Sequence, residues 1–250
     1  MKSSNPVLTR PDTFSRESWP APTVGELDAM YAAPGRMTVD DVVMRTAMLL
    51  GVILATGSAA WMLELPLGVA MIAALAGFAV SMVVIFKKVT SPPLILTYAA
   101  LEGVFLGTVS SYFDAAYPGI VVQAVLGTAM AFAGMLAAYR SGRIRVTPKL
   151  TRMVVGAGLG LLGLMLVNLV AGLFTEGGLG IRDGGPLAIL FSLVAIGVAC
   201  MFLALDFDQV EKAIAAGAPE RESWIAAFGL VVTLVWLYME ILRLISYFRD

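Results

Sequence analysis

Seven runs of mainly apolar residues follow one another along the chain, separated by shorter polar segments. The runs cover residues 46–61, 67–86, 93–112, 120–139, 150–174, 186–205 and 223–247. Each is close to the ~20 residues that an α-helix needs to cross a hydrocarbon core of about 30 Å. In a helix the backbone N–H and C=O groups hydrogen-bond to one another, which is necessary in lipid because no water is present to pair with them. The pattern therefore predicts an all-α integral membrane protein, a bundle of seven transmembrane helices in which the first span is the shortest.

The residues before the first run have a different character. Residues 1–44 are rich in proline and mixed in charge, and they lack the basic-then-apolar pattern of a secretory signal peptide. We expect a polar tail that is partly disordered or interfacial, with an amphipathic stretch around Met37 to Arg45 at the membrane surface. The chain is thus predicted to consist of this tail and a transmembrane domain over residues 45–250.

Composition narrows the functional classes. Apolar residues make up 59% of the chain and charged residues only 14%, whereas an average soluble domain has roughly 45–50% and 25%. The basic residues are scattered through short loops, which argues against binding to nucleic acid. The chain has no histidine, and its one cysteine, Cys200, lies in an apolar run. Imidazole catalysis, the usual zinc sites and an intrachain disulfide are excluded, so we predict no enzymatic activity and no cofactor.

Lys and Arg are distributed unequally between the two sets of loops. Fourteen of them lie in the tail and in the loops after the second, fourth and sixth spans, whereas the alternate loops contain only Arg182. Cytoplasmic loops of membrane proteins are enriched in Lys and Arg. We therefore predict a cytoplasmic N-terminus and, with seven spans, a C-terminus on the outside.

Glycines recur in the fifth span. They are Gly156, Gly158, Gly160 and Gly163. Small residues at such spacing let helix backbones approach closely, so we expect this face to pack inside a compact bundle.

Four acidic residues lie in or beside the spans, where a charge is costly and usually serves a function. Glu102 is about 14 Å from the inner end of span three and has no basic residue within helical reach. Glu240 has Arg243 three residues later, so a structural ion pair and an ion-path role are both open. Asp206 and Asp208 end span six and point in opposite directions. We expect a role in ion or proton sensing for Asp206 and a solvated helix end for Asp208.

These residues resemble the transmembrane Bax inhibitor motif family, in a bacterial branch with a long N-terminal tail. The likeness rests on Glu102-Gly103, on the segment from Leu205 to Lys212, and on Trp224 opening a last span that ends around Glu240. Together with seven spans and an inside N-terminus, it covers residues 45–250. It implies a bacterial plasma (inner) membrane protein whose last helix is central and ringed by six others.

The resemblance also implies a passive, pH-sensitive calcium leak. In the family, an aspartate from span six and one from span seven share a proton and close the pore. The first corresponds to Asp206, with Asp208 as the alternative, but the second falls on Thr233. Because Thr233 is within reach of Asp206 and Glu240 is not, we expect a ladder of carboxylates that bind calcium transiently, with Asp206 inside, Glu102 in the middle and Glu240 outside.

The leading hypothesis is a carboxylate-lined, proton-modulated cation leak, with calcium as the permeant ion because it prefers several oxygen ligands. Lys87 or Lys88 is expected to form a latch with Asp206 at the cytoplasmic edge. Thr233 and Arg243 are further candidate gate partners. The alternative is an interaction protein that conducts nothing and acts on a membrane protease or a stress-response complex. An intramembrane hydrolase is the poorest candidate.

Overall fold

The computed structural model describes residues 35–87, 89–175 and 177–249. Its contacts divide the chain into two units, Met1–Gly35 and Arg36–Asp250, and all the helices described belong to the second unit. The tail residues 1–34, which were predicted to be partly disordered or interfacial, lie outside the described residues, and so does Lys88.

Seven helices form the described part of the chain. They are α1 Val39–Met62, α2 Leu67–Lys87, α3 Pro92–Ala116, α4 Ile120–Arg140, α5 Pro148–Ala171, α6 Pro186–Ala215 and α7 Ser223–Tyr247, with a short 3-10 helix, Glu220–Glu222, before α7. All seven are long and apolar enough to cross a membrane. The prediction of an all-α, multi-pass membrane protein is confirmed. We call the side on which α1 begins the tail side, and the opposite side the far side.

Helix α1 begins seven residues earlier than the apolar pattern predicts. Thr38 caps it: its hydroxyl accepts a hydrogen bond from the Asp41 backbone N–H, while the Asp41 carboxylate accepts one from the Thr38 N–H at 2.9 Å. This reciprocal capping box satisfies two backbone donors at the helix start. The stretch from Met37 to Arg45, predicted to lie at the membrane surface, is mostly the first two turns of α1.

Helix α6 also differs from its prediction, because it continues ten residues beyond Leu205 to Ala215. The added turns are held by packing, since Val210, Ala213 and Ile214 lie against the apolar core shared with α7. Asp206 is consequently nine residues inside the helix, about 14 Å from its end, and not at the end of the span as predicted.

Helix α7 is the most enclosed of the seven. Half of its apolar window is buried, compared with 11% for α4 and for α5. It packs against α1, α3, α4 and α6, whereas α2 lies on α3 and α5 lies on α6. The central position implied by the resemblance is thus present, but in the described part only α1, α4 and α6 pack extensively on α7, and α3 touches it over a smaller area.

The closest helix contact joins α1 and α3 through glycines. A Cβ added at Gly107 would collide with the backbone of Gly57, and one at Gly103 would collide with Ile53 and Thr56. Gly103 and Gly107 form a GxxxG pair, the spacing that lets membrane helices approach closely.

The glycines of α5 behave differently from the prediction. A Cβ added at Gly156, Gly160 or Gly163 would meet nothing within 4 Å in the described part, and only Gly158 faces a close neighbour, Phe202. The expected packing is therefore wrong for three of the four glycines, because α5 packs against α6 through a single face.

Candidate functional site

The interface of α6 and α7 contains a carboxylate bonded to a hydroxyl. Thr233 Oγ1 donates to Asp206 Oδ2 at 2.7 Å, and Thr233 is 6% exposed. Gly229, one turn earlier on α7, lies beside the carboxylate, since a Cβ added to it would be 4.0 Å from Asp206 Oδ1. The expectation that Thr233 reaches Asp206 is confirmed. Among the described residues, no basic side chain pairs with Asp206.

Asp208 lies on another face of α6 and has a different partner. Lys212, one turn later, donates to its carboxylate at 2.5 Å, and the lysine side chain is 70% exposed. Nearby, the Tyr139 hydroxyl donates to Glu211 at 2.6 Å. Asp208 is not at the solvated helix end that was expected, because α6 continues to Ala215 and the Asp208 side chain is only 17% exposed. Asp206 remains the acid of the pair that faces α7.

Glu240 lies seven residues after Thr233, hence on the same face of α7 and about 10 Å further along. The space between them is apolar. Leu237 of α7 and Leu203 and Ala199 of α6 are fully buried there in one cluster. This apolar layer, Ala199, Leu203 and Leu237, separates the two acids.

Glu240 is itself almost fully buried, at 1% exposure, and its oxygens are occupied. Arg182 approaches with both terminal nitrogens, at 2.8 and 3.1 Å, and Arg243 lies at 3.5 Å. Ser192 Oγ donates to Oε2 at 3.3 Å. The predicted contact with Arg243 is present but long; the main partner is Arg182, which the sequence analysis used only to orient the protein.

The loop between α5 and α6 brings Arg182 to this position. Asn168 Oδ1, near the end of α5, accepts from the Leu179 N–H at 2.9 Å. The Arg182 guanidinium lies 4.8 Å from the ring centre of Phe191, and the Tyr247 hydroxyl donates to the Arg182 carbonyl. No sequence pattern signals these contacts, because Arg182 and Glu240 are 58 residues apart.

Glu102 lies on the other side of α7. Tyr98, one turn before it on α3, packs edge-on against Phe228 with the ring centres 4.9 Å apart. The cluster around Tyr98 also includes Val231, which is two residues, or about 200° of helix, from Thr233. Glu102 and Asp206 thus approach α7 from different sides, and the three-carboxylate ladder is not assembled on one face.

Lys87 does not form the predicted latch with Asp206 in this structure. Lys87 is exposed at the end of α2 and makes no ion pair with any described residue. Helix α2 packs against α3 and not against α6, so Asp206 is out of its reach. Lys88 lies outside the described residues.

No three acidic, Cys or His side chains of the described part are grouped to hold a metal ion. Asp206, Glu102 and Glu240 are therefore not ligands of one calcium ion in this state. An ion that prefers six to eight oxygens would meet them one at a time.

Sequence reasoning missed a clamp on the tail side. Arg45 donates to the carbonyl and to the carboxylate of Glu220, and its guanidinium lies 5.3 Å from the ring centre of Trp224. The Met37 N–H donates to the Ala218 carbonyl at 2.9 Å. The start of α1 is thereby fixed to the loop that begins α7.

Comparison with known protein families gives a match. A family model described as Bax inhibitor 1 like matches residues 5–250. Comparison with curated proteins gave no match. The match spans nearly the whole chain and contains every residue of the acidic sites described above. This multi-pass membrane protein belongs to the Bax inhibitor 1 like family.

Proposed function

We propose that the chain is a proton-modulated cation leak whose gate is the α6–α7 interface, with calcium as the permeant ion. The observation that carries the proposal is the bond between Asp206 and Thr233. This carboxylate lies inside the bundle without a basic partner among the described residues, so its charge is free to change with pH. Intramembrane acids in such positions typically serve ion or proton pathways.

The structure corresponds to a closed state in this proposal. The apolar layer of Ala199, Leu203 and Leu237 is fully buried and lies next to the Asp206–Thr233 bond. Opening requires α6 to move relative to α7, which breaks that bond. The far-side cluster around Glu240 keeps the other half of the interface in place, because two arginines bind its carboxylate.

Calcium flux into liposomes tests the proposal. Asp206→Asn should raise the resting leak and flatten its dependence on pH between about 6 and 8, because the amide cannot ionise. Asp208→Asn is the matched control, two residues away on the same helix but paired with Lys212, and should behave like wild type. Equal effects of the two changes would refute the gate assignment, and absence of flux through wild type would refute the leak.

Glu102 requires a separate measurement, since it lies on the other side of α7. If it belongs to the pathway, Glu102→Gln should reduce calcium flux at every pH while the protein remains folded. If it serves only packing beside Tyr98, flux should be unchanged.

The same apolar layer favours one alternative, a protein that conducts nothing and regulates a membrane partner. The side chains of the layer are fully buried and apolar, and α4 and α5 offer broad apolar faces to lipid or to another membrane protein. Calcium flux into liposomes distinguishes the two functions. If the protein is a non-conducting regulator, neither the wild type nor Asp206→Asn should give calcium flux above that of empty vesicles.

A further inference from the structure

A groove of about 460 Å³ opens on the far side between α5 and α7. Its walls include Met165 and Leu169 of α5 and Trp236 and Met239 of α7. Helix α5 packs extensively on α6, and neither α4 nor α7 has extensive contact with it in the described part. The groove therefore opens sideways, toward the hydrocarbon of the bilayer.

The two ends of the groove differ in polarity. Arg243 is four residues, or about 6 Å, from the far-side end of α7, close to the depth of lipid headgroups, whereas Trp236 lies about 10 Å deeper. Asn168, near the end of α5, lines the same polar end as Arg182 and Arg243. The groove thus has a polar mouth and an apolar floor, which is the polarity of a phospholipid.

The polar end has more positive than negative charge among its described lining residues, with two arginines and one glutamate. Arg182 uses both terminal nitrogens on Glu240, while Arg243 makes only one contact of 3.5 Å with it. A guanidinium has five N–H donors, and the Arg243 side chain remains 27% exposed. Arg243 therefore has donors left for an anion in the groove.

We propose that this groove binds one acidic phospholipid from the far leaflet. Its phosphate accepts hydrogen bonds from Arg243, and an acyl chain runs past Met239 and Trp236. Guanidinium groups bind phosphate well because their donors match its geometry. The site lies at the far end of α7, away from the Asp206–Thr233 gate, and the proposal stands whether or not the protein conducts ions.

Quenching of Trp236 by brominated lipids tests this site directly. The chain should carry Phe in place of Trp19, Trp61 and Trp224, so that Trp236 is the sole tryptophan. It is reconstituted in mixed bilayers containing either dibromo-phosphatidylglycerol or dibromo-phosphatidylcholine at equal fractions. We expect the acidic lipid to bind roughly fivefold better, the effect of one basic residue contributing about 1 kcal/mol.

Charge variants then identify the cause of the preference. Arg243→Gln should abolish it, Arg243→Lys should keep it, and Glu240→Gln should increase it by removing the competing carboxylate. Arg249→Gln is the matched control, because Arg249 is exposed at the same end of α7 and donates to the Pro118 carbonyl outside the groove. A purely structural role for the cluster predicts losses of stability in these variants without a change in lipid preference.

The proposal fails on any of several outcomes. Equal quenching by the two lipids, or none because a second copy of the chain covers Trp236, would overturn it. Loss of the preference for the acidic lipid on adding inorganic phosphate would also overturn it, because the ligand would then be a free anion. An equal loss of that preference in Arg249→Gln would overturn it as well. Should Arg243→Gln not fold, the opposite change expected for Glu240→Gln decides the matter: an unchanged preference in that variant overturns the site.

Discussion

Two acids on one interface, the buried Glu240 and the partly buried Asp206, have very different surroundings. Asp206 receives one hydrogen bond from a hydroxyl, whereas Glu240 receives contacts from two arginines and a serine. A buried charge without a cation is costly, and one with a bidentate arginine is largely compensated. The comparison indicates that the far half of the α6–α7 interface is an anchor, and in the proposed function the tail half is the part that responds to protons.

The largest effect should follow from removing the anchor. Glu240→Ala leaves Arg182 and Arg243 without their carboxylate, and breaking a buried pair in this way costs about 3–5 kcal/mol. We expect a clear fall in the thermal unfolding midpoint of the purified protein in detergent. Asp206→Ala is the comparison, and an equal or larger fall there would reverse the roles of the two halves.

A smaller effect should appear as coupling between Arg182 and Glu240. In a double-mutant cycle with Arg182→Gln and Glu240→Gln, we expect an interaction energy within the roughly 0.5–3 kcal/mol seen for residues in one network. The interaction energy from the cycle of Asp206→Asn with Thr233→Val should be smaller than that from the cycle of Arg182→Gln with Glu240→Gln. Denaturant unfolding measures both, and the anchor assignment is wrong if the second coupling is the larger.

The Asp206–Thr233 bond alone should contribute less. Thr233→Val keeps the shape of the side chain but removes the hydroxyl, at a cost of about 1 kcal/mol. Its effect on function should exceed its effect on stability, with a higher resting calcium leak in liposomes. Ser110→Ala, which removes the Ser110–Tyr238 hydrogen bond between α3 and α7, is the matched control and should leave the leak unchanged.

The smallest change is expected in the last turns of α6. Asp208 and the exposed Lys212 form an ion pair one turn apart, of the kind that contributes about 0.3–0.5 kcal/mol. Asp208→Asn should therefore shift the unfolding midpoint by less than Thr233→Val does. A larger shift, measured by the same thermal unfolding, would show that Asp208 belongs to the gate after all.

The sequence located the acids but not their partners. Asp206 and Thr233 could be paired through the family resemblance, and the structure places both at similar distances from the tail-side ends of their helices. Glu240 and Arg182 could not be paired from the sequence, since the arginine lies in a loop whose path depends on contacts such as that of Asn168 with Leu179. The predicted ladder failed for a similar reason: spacing gives depth along each helix, but not which side of α7 each helix occupies.

Glycine shows the same limit within the helices. The GxxxG pair of Gly103 and Gly107 lies in a tight helix contact, whereas Gly156 and Gly160, at the same spacing, face open space. Spacing permits close approach, but a second helix must be present on that face. The neighbours of α5 are decided by the whole bundle.

The sequence by itself determined that the chain spans a membrane with seven helices, because apolar length and the need to pair backbone groups are local properties of each segment. It also determined the family, since the order of motifs survives in the linear chain. Only the tertiary structure decided which acids are compensated, that an apolar layer separates Asp206 from Glu240, and that α5 leaves a groove open beside α7. Those features depend on the faces that helices present to one another, which no single segment encodes.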